Sequence, residues 1–389
     1  MTFEVVACEG AARRGRLRTP HGLVDTPAFM PVGTAGAVKS LTPADLAEVG
    51  TQIVLANTYH LVLRPGHRLV EALGGLHRFM AWPGPILTDS GGYQVFSLAA
   101  LRQIDEQGVR FRSPLDGGAE HLLTPELTIE VQQALGADVL HPLDECLPYG
   151  ASHSETRASL HRTLRWARRS LATHRAGARP GQGCFGIVQG GMYADLRREG
   201  AAAIVAAGFD GHALGGFAVG EPPGLRVELL ALTAAVLPAD RPRYLMGVGR
   251  PPDVVEAVAA GIDLFDCVLP TRHARTGQCF TRGGLVVIRH SVHGKDAGPL
   301  DDGCPCYTCR TFSRAYLRHL FLARELAVYR LLTLHNLTYY LGLMAEVRAA
   351  VAEGRFARLR RAVLETYAPA EAGAATAPGA ELSAQEGDA

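Results

Sequence analysis

Long apolar runs are missing from this 389-residue chain: no stretch of 18 apolar residues occurs, so no transmembrane helix is expected. The first residues, Met1–Gly10, lack a basic flank leading into an apolar core, so no signal peptide is expected and the cytoplasm is the default location. Lysine is nearly absent. Only Lys39 and Lys295 occur, and arginine carries almost all the positive charge. A formal net charge of +1 gives no global pull toward nucleic acid, which leaves local basic patches as the relevant feature. Tryptophan is scarce too. With only Trp82 and Trp166, a carbohydrate site built on stacked indoles is disfavoured. Cysteine is present but mostly scattered, at Cys8, Cys146, Cys184, Cys267 and Cys279, with one cluster at Cys304, Cys306 and Cys309. In a long chain without a secretion signal this pattern points to reduced thiols and a metal site, not a disulfide framework.

Ordinary globular material fills the rest, 47% hydrophobic and 20% charged. After an N-terminal hairpin region (about Phe3–Val24), short apolar runs alternate with helix-length segments. The runs are Pro27–Met30, Gln52–Leu55, Pro85–Thr88, Asp138–His141, Cys184–Val188, Gly211–Leu214, Arg243–Met246 and Asp263–Phe265. Between them, Thr124 is placed to cap a helix with Pro125 in its first turn. Thr156–His174 and Asp195–Ala207 also read as helices. Strand–helix alternation repeated about eight times predicts a parallel α/β fold, and favours a closed (β/α)8 barrel over an open doubly wound sheet. A hairpin is expected from Val109–Arg112 and His121–Leu123 around Asp116-Gly117-Gly118. Another small β element spans Cys279–Arg289. The cysteine cluster follows, then two helices at about Ser313–Leu326 and Leu334–Val351. From Ala368 the composition is that of a disordered tail. The expected division is 1–24 hairpin region, 25–276 barrel, 277–367 zinc-binding subdomain with C-terminal helices, and 368–389 tail.

In such a barrel, chemistry sits where strands end and the following loops begin. Strand three ends in Thr88-Asp89-Ser90-Gly91-Gly92-Tyr93-Gln94 and strand four in Asp144-Glu145-Cys146. Strand five ends in Gln189-Gly190-Gly191, and strand six in Gly215-Gly216-Phe217. Strand seven ends in Met246-Gly247-Val248-Gly249, and strand eight in Asp266-Cys267. Carboxylates, an amide and glycines thus converge on one rim. The glycines let a flat ligand approach the backbone, and Asp144 and Gln189 can read donors and acceptors on a heterocycle edge. Any single aspartate at such a position also fits a helix cap or loop ion pair. Paired carboxylates suit glycosyl transfer, which leaves a retaining glycosidase open beside nucleic-acid chemistry. Cys304-x-Cys306-x-x-Cys309 fits a closed tetrahedral zinc site. His335, at the start of the second long helix, and His319 are both candidates for a fourth ligand. Arg272 and Arg275, close after Asp266, suit phosphate contacts. Arg310, Arg314, Arg318 and Arg324 fit a solvated face as well.

These stretches, with Leu55–Leu61, Gly186–Gly191, Gly215–Glu221, Arg243–Gly249, Asp263–Arg272 and Leu334-His335-Asn336, resemble the bacterial tRNA-guanine transglycosylases from about Phe3 to Tyr367, in order. The resemblance implies an irregular (β/α)8 TIM barrel with an inserted zinc-binding subdomain, forming a homodimer. It implies exchange of guanine at the wobble position of GUN-anticodon tRNAs for the deazaguanine base 7-aminomethyl-7-deazaguanine, the precursor of queuosine. Under it, Asp266 is the nucleophile on the ribose anomeric carbon and Asp89 the acid/base. Ser90, Gly91, Gly92, Tyr93, Asp144, Cys146, Gln189, Gly215, Gly216 and Met246 bind the base, with Tyr93 and Met246 on its faces. Gly247, Val248, Gly249, Arg250, Pro251, Pro252 and Asp253, together with Thr271, Arg272, His273, Ala274 and Arg275, face the RNA. Cys304, Cys306, Cys309 and His335 hold one structural Zn2+. Phe217 stands where the family has leucine, and His141-Pro142 where it has apolar residues. A non-catalytic RNA-binding partner on the same barrel is the alternative. It expects a lost nucleophile, whereas Asp89 and Asp266 are both present.

Overall fold

Short runs of buried residues build one parallel sheet that closes on itself. The computed structural model describes residues 1–92, 102–113 and 116–368. Its strands are β1 (Thr2–Glu9), β2 (Ala12–Thr19), β3 (Gly22–Thr26), β4 (Ala28–Met30), β5 (Val54–Ala56), β6 (Ile86–Thr88), β7 (Arg102–Ile104) and β8 (Val109–Arg112). They continue with β9 (Glu120–Leu123), β10 (Val139–Leu140), β11 (Gly183–Val188), β12 (Gly211–Leu214), β13 (Arg243–Leu245), β14 (Leu264–Asp266), β15 (Gln278–Thr281) and β16 (Gly284–Val287). The 8-stranded sheet runs β4-β14-β13-β12-β11-β10-β6-β5, with every neighbouring pair parallel. A parallel bridge between Val32 and Leu55 joins the two ends. There Leu55 N donates to Pro31 O at 3.0 Å and Gly33 N to Leu55 O at 2.6 Å. The expected (β/α)8 barrel is therefore the observed one.

Both faces of these strands are dry. β11 is buried at every position, as a strand between a barrel interior and an outer helix layer must be. Inside the barrel, Met30, Leu55, Leu87, Phe185, Ile187, Tyr244 and Leu264 pack together. Leu17 and Val24 join the same cluster from the N-terminal segment. That segment is a three-stranded antiparallel meander, β1-β2-β3, not the expected two-stranded hairpin. Its extra strand forms because the chain turns back at Pro20-His21 and β3 pairs along β2. The meander plugs the end of the barrel where the strands begin. Arg13 on β2 donates from Nε to Asp263 Oδ1 at 2.9 Å and from Nη1 to Ala239 O at 2.7 Å. Asp263 directly precedes β14 and is 0% exposed. At the same end, buried Asp138 accepts from His21 Nδ1 at 2.8 Å, His77 Nε2 at 3.1 Å and Ile86 N at 2.8 Å.

The helices match their signals. Thr124 caps Pro125–Leu135 by accepting from Leu127 N, and Ser152 with Glu155 forms a capping box on His153–Gly177. The hairpin β8/β9 is present, with β7 added as a third strand. After β14 come the helix Leu269–Arg275, the β15/β16 hairpin, and the helices Tyr307–Thr311, Arg314–Leu322, Leu326–Ala352 and Phe356–Thr366. The long helix starts earlier than its expected origin near Leu334. Val328, Leu331 and Leu332 bury a stripe at helical spacing in its first turns, so His335 lies well inside the helix rather than at its start. The helix Phe356–Thr366 had no sequence expectation. The expected tail lies outside the described residues beyond Ala368.

Candidate functional site

All eight parallel strands point the same way, so the residues after each strand share one rim. Asp266 is the last residue of β14 and Asp89 directly follows β6. Tyr244, in the middle of β13, is buried in the barrel with its hydroxyl at this rim. The hydroxyl donates to Asp266 Oδ1 at 2.6 Å, and Gly247 N donates to the same oxygen at 2.7 Å. Burial pushes the Asp266 carboxyl above the ordinary aspartate range, and these two donors pull it back. Tyr244 itself is held well above the usual phenol range by burial, then by Asp266, with Asp89 also contributing. Both carboxylates therefore lie within electrostatic reach of one hydroxyl.

Asp89 is clamped by its neighbours. Its Oδ1 accepts from Thr58 N at 2.8 Å and its Oδ2 from Asn57 Nδ2 at 2.5 Å, while Thr58 Oγ1 donates to its backbone oxygen at 2.6 Å. The residue before it is fixed from below. His141 donates from Nδ1 to Thr88 O at 2.8 Å, and burial lowers its pKa to about 4. That neutral imidazole packs on Tyr244, with ring centroids 5.5 Å apart. It explains how a histidine occupies a position where an apolar residue fits.

A second group forms beside the carboxylates. Gln189 Nε2 donates to Asp144 Oδ2 at 2.7 Å, Ser90 Oγ donates to Asp144 Oδ1 at 2.8 Å, and Gly92 N donates to Ser90 Oγ at 3.0 Å. Burial raises the Asp144 carboxyl, against the pull of Gln189 and Ser90. The site tolerates no side chain at Gly92, where a Cβ would lie 2.7 Å from Asp144 Oδ1. Cys146 is buried nearby, its thiol pushed up to about 12 by burial. Gly91 packs on Tyr59, Gly215 and Gly216 border Gln189, and Met246 is part-buried against the barrel interior. Tyr93 lies outside the described residues.

The expected RNA-facing residues divide by exposure. Gly247, Arg250 and Arg272 are exposed, whereas Val248, Gly249, Pro251, Thr271 and Ala274 are buried, with Pro252, Asp253, His273 and Arg275 between these extremes. Asp253 accepts from Arg226 at 2.8 Å, and His273 stacks on Phe280 at 5.0 Å. Sequence reasoning missed Tyr244 and Arg197. Tyr244 reads as one more apolar residue of a strand. Arg197 reads as the polar face of a helix, yet it is fully buried beneath Gly215 and Gly216.

Away from the rim, Cys304, Cys306, Cys309 and His335 offer four ligand atoms all within 4.8 Å of one another. Their thiols lie 3.7, 3.7 and 3.2 Å from His335 Nδ1. Tetrahedral zinc with ordinary bond lengths separates sulfur from nitrogen by about 3.6 Å. His335 Nε2 is bonded to Phe280 O at 2.9 Å, which fixes its proton there and turns a bare Nδ1 toward the thiols. The four residues fit a closed, structural zinc site, and His335 rather than His319 completes it. The adjacent Asn336 donates to Pro270 O at 2.9 Å and Gln278 O at 3.0 Å, and accepts from Phe280 N at 3.0 Å.

Comparison with known proteins agrees with this arrangement. Residues 8–369 match the family described as Queuine tRNA-ribosyltransferase. A Queuine tRNA-ribosyltransferase of Solidesulfovibrio magneticus is 56% identical over 370 residues, covering 95% of this chain and 99% of the relative. One of Aromatoleum aromaticum is 58% identical over 354 residues, covering 91% and 95%. One of Caldanaerobacter subterraneus is 51% identical over 356 residues, covering 92% and 94%. With this coverage, and with a closed barrel that carries two carboxylates on one rim and a three-cysteine, one-histidine cluster beside it, the chain belongs to the queuine tRNA-ribosyltransferase family.

Proposed function

We propose that the protein is a tRNA-guanine transglycosylase that exchanges guanine at the wobble position of GUN-anticodon tRNAs for 7-aminomethyl-7-deazaguanine. One observation carries the reading: Asp89 and Asp266 share a rim, both within electrostatic reach of the Tyr244 hydroxyl. Asp266 attacks C1′ of the wobble ribose, the bond to guanine breaks, and Asp89 gives the departing base its proton. Asp89 then takes a proton from the incoming base, whose nitrogen attacks C1′ and releases Asp266. Two displacements preserve the configuration at the sugar. The base must leave its stack to be reached, which an anticodon loop allows more readily than a duplex. Asp144, Gln189 and the Gly216 backbone read its edge, and Tyr93 and Met246 cover its faces. Arg272 and Arg275 serve the flanking nucleotides. Cys304, Cys306, Cys309 and His335 would hold the zinc ion, which would order the C-terminal insertion.

A non-catalytic RNA-binding subunit needs neither carboxylate, and retention of both favours the enzyme. The test is incorporation of labelled guanine into unmodified tRNA by zinc-replete protein. Asp266→Ala is expected to fold and to lose the denaturant-stable protein–tRNA adduct. An adduct persisting in that variant removes Asp266 from its role. The homodimer belongs to the same proposal. Val292, Leu322 and Leu326, in the segment after the barrel, are 75%, 54% and 81% exposed, apolar side chains suited to cover by a partner copy. Sedimentation at monomer mass across micromolar concentrations refutes it. No helix among the described residues is long and apolar enough to cross a membrane, and a tRNA substrate fits a cytoplasmic location.

A further inference from the structure

Arg197 sits in the first turn of the helix Ala194–Ala207 and is 0% exposed. Among the described residues its hydrogen bonds go to carbonyl oxygens and its flat face meets one ring, with Cys146 and the Glu221 carboxylate within electrostatic reach. Nε donates to Gly191 O at 2.8 Å. Nη1 donates to Gly215 O at 2.8 Å and Val188 O at 3.3 Å. Nη2 donates to Gly216 O at 3.1 Å, and the guanidinium carbon lies 4.0 Å from the centroid of the Phe217 ring. These acceptors come from the ends of β11 and β12, the two segments that carry Gln189 and the Gly215-Gly216 pair.

The consequence follows from peptide geometry. A trans peptide unit points its C=O and its N–H in opposite directions. The carbonyls of Gly215 and Gly216 turn toward Arg197, so the N–H groups of Gly216 and Phe217 turn away from it. Among the described residues neither N–H meets an acceptor. The Gln189 amide lies against both glycines. A Cβ on Gly215 would stand 2.6 Å from its Nε2, and one on Gly216 2.5 Å from its Oε1. Gly216 also has φ +70, which an L side chain rarely adopts. A flat fork is required to span four carbonyls from one centre, and a lysine ammonium lacks that shape.

Resting on the transglycosylase reading, we propose that Arg197 is a positioning residue for base selection. Its guanidinium, steadied by Phe217, aims two backbone donors beside Gln189 and so makes the site prefer a base whose edge offers a keto oxygen. Competitive inhibition by guanine and by 2,6-diaminopurine, which carries an amino group in place of the keto oxygen, reads this directly. In Arg197→Lys the preference for guanine is expected to shrink about ten-fold or more, with the KM for guanine rising in step and the KM for tRNA staying within about two-fold. A merely structural role lowers the active fraction and leaves the inhibition ratio unchanged, which overturns the proposal. Should Arg197→Lys fail to fold, Phe217→Leu keeps the carbonyl bonds and removes only the ring face. Its ratio is expected to shrink about two- to five-fold, and an unchanged ratio overturns the proposal equally. Wild-type protein that incorporates no guanine sinks the transglycosylase reading instead.

Discussion

Replacing Tyr244 with phenylalanine removes one oxygen and little else. The ring keeps its place in the barrel interior and its edge contact with His141. What disappears is the 2.6 Å donor to Asp266 Oδ1, leaving Gly247 N at 2.7 Å as the remaining donor to that oxygen. A nucleophilic Asp266 must be ionised. Burial raises its pKa and the hydroxyl opposes that rise, so losing the hydroxyl raises it further. A hydrogen bond to a charged group contributes about 1.5–3 kcal/mol, and about 1.36 kcal/mol corresponds to one pH unit. The acid limb of kcat/KM for tRNA is therefore expected to move up by about 1–2 pH units. Activity is lost as pH falls through the higher value and returns above it. The assay is the initial rate of labelled-guanine incorporation across the acid and neutral range. A limb that stays in place, or moves to lower pH, refutes the assignment of Tyr244 as the donor that holds Asp266 ionised.

Arg13→Ala leaves Asp263 buried without its charge partner. The expected cost is about 3–5 kcal/mol, seen as a lower urea midpoint with the exchange chemistry of the folded fraction unchanged. An unshifted midpoint means that the meander contributes little to closing the barrel floor. Cys306→Ser removes one of four zinc ligands and is expected to lower bound zinc, measured by metal analysis of the purified protein, with the barrel's secondary structure retained. Full metal retention contradicts the ligand set.

Barrel and rim were readable in the sequence for a definite reason. The strands are buried on both faces, so each leaves a short apolar run, and the residues after each run are those that the parallel topology gathers. Asp89, Asp144, Gln189 and Asp266 stood out because polar groups directly after apolar runs are conspicuous. Arg197 and Tyr244 did not, because each obeys the local pattern of its element. An arginine on a helix reads as a solvated face, and a tyrosine in Arg243-Tyr244-Leu245 reads as core. Only the fold shows that one is buried under four carbonyls and the other ends at a carboxylate. The early start of Leu326–Ala352 escaped for a related reason: its first turn exposes Leu326, which blurs the stripe formed by Val328, Leu331 and Leu332.

Neighbouring residues on that helix face two ways. His335 turns to the thiols, while Asn336 grips Pro270, in the first turn of the short helix that follows the Asp266 strand, and Gln278, just beyond that helix. The metal knot and the strap downstream of Asp266 are thus fastened by one turn of one helix. Stripping the ion would slacken more than a remote lobe: the tether beside the Asp266 carboxylate would lose its anchor, so metal shortage and slow catalysis become symptoms of a single loosened joint.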